Sequence, residues 1–596
     1  MFNLLIGGAA GQGIETTGGV FEKYLKNNGF NIFSTKDVMS RVRGGHNFTT
    51  MRFSRRPVKT HDYKIDGILA LNQNSIDFHI DQLNENGFIL ADEGFESDDS
   101  RVIFLPMNDI AKDIGNVRVA SSVAVGALIR LFGLPRDRMA EIFGLSLRED
   151  LVDINVQAAE RGYDLITDEQ VERNRQLLPE DTGEDADYSD WLVMNGNNAL
   201  ALGAIAAGLK FYSAYPMSPA TSVLVTLASV MDEAGIVVEQ AEDELAGINM
   251  AVGASYAGAV AMTGTSGGGF ALKIEGITQA GMQEVPVVIV DAMRPGPVTG
   301  LPTRTEQGDL DMAIFSGNGE FPKAVIAIKS HEDAFYQAAR ALNIAEKYQM
   351  PVILLTDQYL ADGTATIPRF DLTKVKKVVP GATPEEALSY REGYERGEDK
   401  MGETPEKNLA ESEYKRYRIT DNGISPRLLP GNPYAFVSAD TDEHDEYGFI
   451  TESAEVRVEQ MDKRARKMDT YIAEDLHEPE QIGASESDIL LVAWGSLHGT
   501  MLETADKLEA QGIKAKILVF GDVWPLPRKV FDEAARNAKH IINVEQNFSG
   551  QLGKLILRET GIAMTDSVLK YDGRPISSDE VVEQVSAIVD NAGGNS

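Results

Sequence analysis

The stretch QAEDELAGINMAVGASYAGAVAMTGTSGGGF, Gln240–Phe270, decides the fold class. Three acids, Glu242, Asp243 and Glu244, lead straight into a small-residue helix expected over Leu245–Ala257. Acids at a helix start are favoured by the axial dipole, and that is the plain structural account of all three. Ala246, Gly247, Ala251, Gly253 and Ala254 give that helix a surface that another element can approach very closely. A short strand, Ala259–Thr263, is expected next, although its small residues would also suit a helix. The turn TSGGGF, with Gly267 and Gly268, then opens a second small-residue helix. Helix, strand, glycine turn and helix in this order are the punctuation of an α/β fold.

The same pattern extends in both directions. Upstream, FYSAYPMSPATS, Phe211–Ser222, places two prolines around Met217 and Ser218, which forces an extended or turned chain and presents the Ser218 hydroxyl. Downstream, Val285–Asp291 and Val352–Thr356 read as buried strands. The N-terminal unit, about 1–182, has strands expected at Phe2–Ile6, Asn31–Ser34, Thr49–Phe53, Gly67–Ala70 and Gly87–Ala91, with a helix at Ile14–Asn27. A charged linker, PEDTGEDADYSD, Pro179–Asp190, separates it from the unit at 191–373. Residues 374–486 are polar and read as an extended connector with local helices, wrapped over its own domains or over a partner. The last unit, 487–596, is a compact βαβ domain with strands at Ile489–Trp494 and Ala515–Phe520.

Composition narrows the function. The 596 residues carry 56 basic and 91 acidic side chains, a formal charge of −35. Such a surface repels phosphate backbones, so nucleic acid is not an expected partner. No apolar run approaches the roughly 18 residues that span a bilayer, so no membrane association is expected and the cytoplasm is the expected location. Cysteine is absent, which excludes disulfides, thiolate zinc sites and any cysteine-held iron–sulfur cluster on this chain. No metal site is expected.

GGAAGQGIETTGG puts Gly8, Gly11 and Gly13 between a strand and a helix. The turn suits either a phosphate at a helix N-terminus or simple tight packing. Its spacing is not the dinucleotide pattern G-x-G-x-x-G. In SRVRGGHNF, Arg41, Arg43 and His46 surround Gly44 and Gly45, a chemistry suited to an anionic ligand or to an interface salt bridge.

Together these motifs resemble the 2-oxoacid:ferredoxin oxidoreductases. YPMSP is similar to that family's YPITP, and Glu242–Phe270 is similar to its thiamine pyrimidine-binding signature. RPGPVTGLPTRTEQGDL (Arg294–Leu310), NGEFPK (Asn318–Lys323) and VEQNFSGQLG (Val544–Gly553) follow in the family's order. GGAAGQGI with RGGH resembles the gamma subunit. The whole chain therefore resembles an alpha subunit with a gamma-type domain fused in front, an arrangement most like the 2-oxoglutarate enzymes. Three α/β domains are implied: gamma-type, pyrimidine-binding and transketolase C-terminal-like. The family's GNEA reads Gly196-Asn197-Asn198-Ala199 here, and its GHGEFP carries Asn318 in place of His.

The resemblance implies thiamine diphosphate shared with a beta subunit, coenzyme A as cosubstrate, and ferredoxin as electron acceptor. Mg²⁺ and a [4Fe–4S] cluster are expected on the beta subunit, because this chain has neither a G-D-G…N motif nor cysteine. An α₂β₂ assembly is expected. The family's motif selects Glu244, with Gly253-Ala254 following, as the carboxylate that would hydrogen-bond the cofactor's pyrimidine. Arg294, Ser218 and Tyr215 are implied for the substrate, and Pro216, Gly267 and Gly268 for the cofactor. Gly11, Gly13, Arg43, Gly44 and His46 are implied for coenzyme A.

Overall fold

The computed structural model describes residues 1–39, 45–175, 187–382, 384–390, 414–433, 435 and 437–593. Its three sheets make it an α/β protein, as the punctuation implied. The strand Phe2–Gly8 is buried along its whole length, which is why its residues are apolar or glycine apart from Asn3, whose side chain donates to the Asp62 and Lys64 carbonyls. It pairs antiparallel with Asn47–Ser54 and parallel with Ile65–Ala70. That eight-stranded sheet does not stop at the charged linker. Asn31–Asp37 pairs with Thr364–Ile367, which pairs with Leu192–Asn195, so two strands from beyond the linker complete its edge.

The second sheet holds the positions that matter most. Its order is Asp522–Trp524, Ala324–Ala327, Pro351–Asp357, Val287–Met293, Ala261–Thr265, Phe211–Ala214 and Val237–Gln240. All pairings are parallel except at the edge, where Asp522–Trp524 arrives antiparallel from the C-terminal unit. The small-residue segment near 260 is indeed a strand, displaced two residues towards the C-terminus of the expected range. The third sheet has five strands, with Ile489–Trp494 at its centre. There Glu545 explains much of the VEQN segment. Wholly buried, it accepts from Trp494 Nε1 at 3.2 Å and from the Leu552 and Gly553 amides at 3.0 Å, satisfying the first turn of helix Gln551–Thr560.

The described part of the connector folds over its own chain. Helix Ala454–Glu474 places Lys463 and Lys467 on Glu284, at 2.5 Å and 2.6 Å, with all three side chains shut off from solvent. Arg416 adds a bond to the Glu284 carbonyl at 2.8 Å. Glu284 sits just before strand Val287–Met293 with a φ of 51°, in the left-handed region. Among the described residues no helix is long and apolar enough to cross a membrane.

Candidate functional site

Four neighbouring parallel strands each deliver one piece of the site at their C-terminal ends, where open α/β sheets bind ligands. Phe211–Ala214 runs into Tyr215, Pro216 and Ser218, and Val237–Gln240 leads to Glu244. Ala261–Thr265 ends at the Gly267 and Gly268 turn, and Val287–Met293 ends at Arg294. Tyr215 and Ser218 are exposed, whereas Arg294 is buried. Arg294 Nη1 donates to the Ser218 carbonyl at 2.7 Å, so two of the substrate residues implied by the resemblance meet directly. Asn197, from the segment that departs from the family pattern, holds the same turn. Its Nδ2 donates to the Pro219 carbonyl at 2.9 Å and to Ser222 Oγ at 2.7 Å.

The three acids separate cleanly. Glu242 is exposed, and Asp243 caps the helix by accepting from the Ala246 amide at 2.7 Å. Glu244 is the first helical residue and is buried, 7% exposed. Among the described residues, none donates a hydrogen bond to its carboxylate, which leaves the group free to accept from a ligand. It lies over the glycine turn, with Oε1 only 2.6 Å from where a Cβ on Gly269 would stand. A Cβ on Gly268 would stand 3.2 Å from the Val298 carbonyl. The three glycines therefore leave a cradle that side chains would fill, and a flat ring whose nitrogen donates to Glu244 fits these residues. Behind them, Lys273 Nζ donates to the Glu244 carbonyl at 3.1 Å and to Thr263 Oγ1 at 3.0 Å. Burial pushes the Lys273 ammonium down to about 8, with the Glu244 charge opposing the shift.

Two acids at this site were not singled out from the sequence. Asp291 lies within strand Val287–Met293 and is wholly buried. Neither of its oxygens has a well-aligned partner, although the Gly267 N–H is near enough to soften the effect. Burial, with the neighbouring Asp309 charge, raises its carboxyl well above the ordinary range. Asp309 is pushed up to about 7 by burial and by Glu306, with Arg294 opposing. A charged residue inside the apolar run VVIVDAM was the available signal for Asp291; nothing in EQGDL marks Asp309.

The N-terminal motif is only partly described. Gly11 and Gly13 have φ of 91° and 79°, and Gly13 caps helix Ile14–Asn27, so this turn needs glycine for its backbone. Arg43 and Gly44 lie outside the described residues. His46 is a correction to the reading of a cationic cluster. Its Nε2 meets His79 Nε2 at 2.8 Å, and burial with that neighbour pushes it down to about 4, so it stands there as a neutral ring. A partly open cavity of about 380 Å³ is walled by Lys36, Asp37, His61, Tyr63, Lys570 and Arg574 from the first and last units, and Glu244 does not line it.

Three family descriptions match successive parts of the chain. Residues 3–165 match the family described as pyruvate ferredoxin/flavodoxin oxidoreductase. Residues 202–463 match its thiamine diphosphate-binding domain, and residues 481–560 match the transketolase C-terminal domain. A 2-oxoacid:ferredoxin oxidoreductase subunit alpha from Saccharolobus solfataricus is 32% identical over 98% of this chain and 97% of its own. The 2-oxoglutarate oxidoreductase subunit KorA of Mycobacterium tuberculosis is 27% identical over 96% of this chain and 89% of its own. Among solved structures, the 2-oxoglutarate:ferredoxin oxidoreductase of Magnetococcus marinus, with 2-oxoglutarate, coenzyme A and succinyl-CoA bound, superposes with a TM-score of 0.85 at 31% identity, covering 98% of this chain and 99% of that one. The fold is that of an oxidoreductase with a thiamine diphosphate-binding domain. The chain belongs to the family of 2-oxoacid:ferredoxin oxidoreductase alpha subunits.

Proposed function

We propose that this chain, with a beta subunit, oxidatively decarboxylates 2-oxoglutarate to succinyl-CoA, or runs the reverse carboxylation, passing electrons to ferredoxin. The observation that carries the reading is the buried, unpartnered Glu244 carboxylate over the Gly267–Gly269 turn, one strand away from Arg294. Thiamine diphosphate, when bound, supplies a carbon nucleophile for the substrate ketone and a sink for the electrons left by decarboxylation. Glu244 would accept a hydrogen bond from the pyrimidine ring and hold negative charge at that nitrogen. Gly267 and Gly268 would let the ring approach the backbone, and Pro216 would help fix the facing wall. Arg294 would grip a substrate carboxylate, since guanidinium matches carboxylate geometry, and the exposed Ser218 and Tyr215 would border the substrate.

Coenzyme A is assigned to the N-terminal unit through Gly11, Gly13, Arg43, Gly44 and His46, the histidine contributing as a neutral ring. The choice of 2-oxoglutarate rests on the bound ligands of the Magnetococcus enzyme and on the name of the mycobacterial relative. The broader name of the Saccharolobus relative supports a second reading, the same chemistry on pyruvate or branched-chain 2-oxoacids. Mg²⁺ and a [4Fe–4S] cluster are placed on the beta subunit, and the assembly is proposed as α₂β₂. The test is viologen reduction by the co-purified complex across several 2-oxoacids. CoA-dependent reduction fastest with 2-oxoglutarate is expected. Faster reduction with pyruvate would move the assignment to the second reading, and no 2-oxoacid-dependent reduction would defeat both.

A further inference from the structure

Among the described residues, five buried polar atoms without partners lie at one place. Ser266 Oγ, both carboxylate oxygens of Asp291, Asp309 Oδ2 and Arg294 Nε all lack a hydrogen-bond partner, and all lie where two adjacent parallel strands end. Such atoms are uncommon in native proteins, and a group of them needs a physical reason. Ser266 and Asp291 are wholly buried. The two acids meet at Gly267: its N–H is near Asp291, and Asp309 Oδ2 is 3.0 Å from where its Cβ would stand. The Asp309 side chain does not cap the helix that follows it, so helix formation does not account for its burial.

The charges facing this pair are few. Asp309 faces Glu306 and Arg294, and Asp291 faces Asp309. Among the described residues, Arg294 is the cation that acts on this pair, through Asp309. Full ionisation of both would set two like charges together, one on wholly buried Asp291 and one on partly buried Asp309.

We infer that Asp291 and Asp309 form a proton-holding pair behind Arg294, which takes up a proton from solvent when an anionic substrate arrives there. The inference rests on the reading that Arg294 receives the 2-oxoacid carboxylate. Without substrate, Asp309 is the natural counter-charge of the guanidinium. A substrate carboxylate supplies a second anion, and in a low-dielectric site the two compete for one cation. Protonating the acid pair removes that competition. Burial with Glu306 already brings Asp309 to about 7, so the proton is available near neutral pH. By linkage, a proton that binds with substrate also tightens substrate. Affinity for the 2-oxoacid should accordingly fall as pH rises above neutrality, by up to about tenfold per pH unit. Both acids act through Arg294 and are positioning residues.

The test is calorimetric titration of 2-oxoglutarate into the alpha–beta complex stripped of thiamine diphosphate, so that no turnover occurs. Measuring at pH 6.5 and 8.5, in buffers of different ionisation heat, counts the protons exchanged. The wild-type complex should take up nearly one proton at pH 8.5 and lose about tenfold or more in affinity between the two values. Asp309→Asn should abolish the uptake and flatten the profile. Glu306→Gln should shift the profile to lower pH, because Asp309 then titrates without that neighbouring charge, and this holds as a test even if the first variant fails to fold. Wild-type binding with no proton uptake overturns the inference, as does an Asp309→Asn profile matching the wild type. If 2-oxoglutarate and other 2-oxoacids fail to bind at either pH, the reading of Arg294 falls and this inference falls with it.

Discussion

A methyl group at position 269 would stand 2.6 Å from Glu244 Oε1 and 2.8 Å from its Cγ, too close for the side chain to keep its place. The burial of Glu244 thus depends on the absence of a neighbouring side chain as much as on its own position. Gly269→Ala makes that dependence measurable. Alanine is the better helix former by about 0.5–1 kcal/mol, but its methyl would also stand 2.2 Å from Oγ1 of buried Thr265, so some loss of stability is expected beside the loss of turnover. The displaced carboxylate should cost turnover up to about 10²-fold, the scale on which a 1 Å misplacement acts. Unchanged kcat with an unchanged melting curve would show that Glu244 needs no fixed place. The same scale explains what was legible in the sequence. Glu244, Ser218 and Arg294 were singled out through the family's motifs, and the glycine turn through its own composition, while the short strands Phe211–Ala214 and Val237–Gln240 that precede Ser218 and Glu244 were not expected. Asp309 and Lys273 become informative only through burial and through neighbours far along the chain, which no local pattern encodes.

Among elements, the connector helix Ala454–Glu474 acts as a clamp on the end of the parallel sheet opposite the site. The sequence implies a connector wrapped over its own domains or a partner, but nothing in its polar composition marks Lys463, Arg464 and Lys467 as buried. Burial alone would push the Glu284 carboxyl up, but Lys463, Lys467 and Arg416 reverse that and hold it well below the ordinary carboxylate range. The sign of its linkage follows. A depressed carboxyl contributes stability that is complete above the ordinary range and is lost as pH falls below it. Glu284→Gln leaves two buried ammonium groups without a counter-charge and should cost about 3–5 kcal/mol near neutral pH. It should also flatten the acid limb of stability against pH, checked by denaturant unfolding from pH 7 to pH 3. A loss below about 1 kcal/mol would mean that the clamp is already solvated or rearranged. Strand–helix order was legible here; the continuation of the first sheet through Thr364–Ile367 and Leu192–Asn195 was not, because pairing across hundreds of residues leaves no local trace.

For the whole molecule, a chain without cysteine has no thiolate to hold an iron–sulfur cluster, and that cluster is proposed to sit on a beta subunit. Purified alone, this chain should show no iron–sulfur absorbance and no viologen reduction, and both should appear on co-purification with its beta subunit. Stoichiometric iron on the isolated chain would contradict that division of labour. The central claim concerns Glu244, and it is tested in the complex with saturating thiamine diphosphate, coenzyme A and 2-oxoglutarate. Glu244→Gln keeps the shape and hydrogen-bonding capacity of the side chain but removes its charge. Exposed Glu242 is the control, since an acid near a helix start contributes only about 0.3–1 kcal/mol. Measuring turnover of both variants beside the wild type, with cofactor binding followed separately, gives the most direct answer. The account predicts that Glu244→Gln binds cofactor but turns over about 10²–10⁴-fold more slowly, while Glu242→Gln stays near wild type. Wild-type turnover in Glu244→Gln, or loss confined to Glu242→Gln, would contradict it.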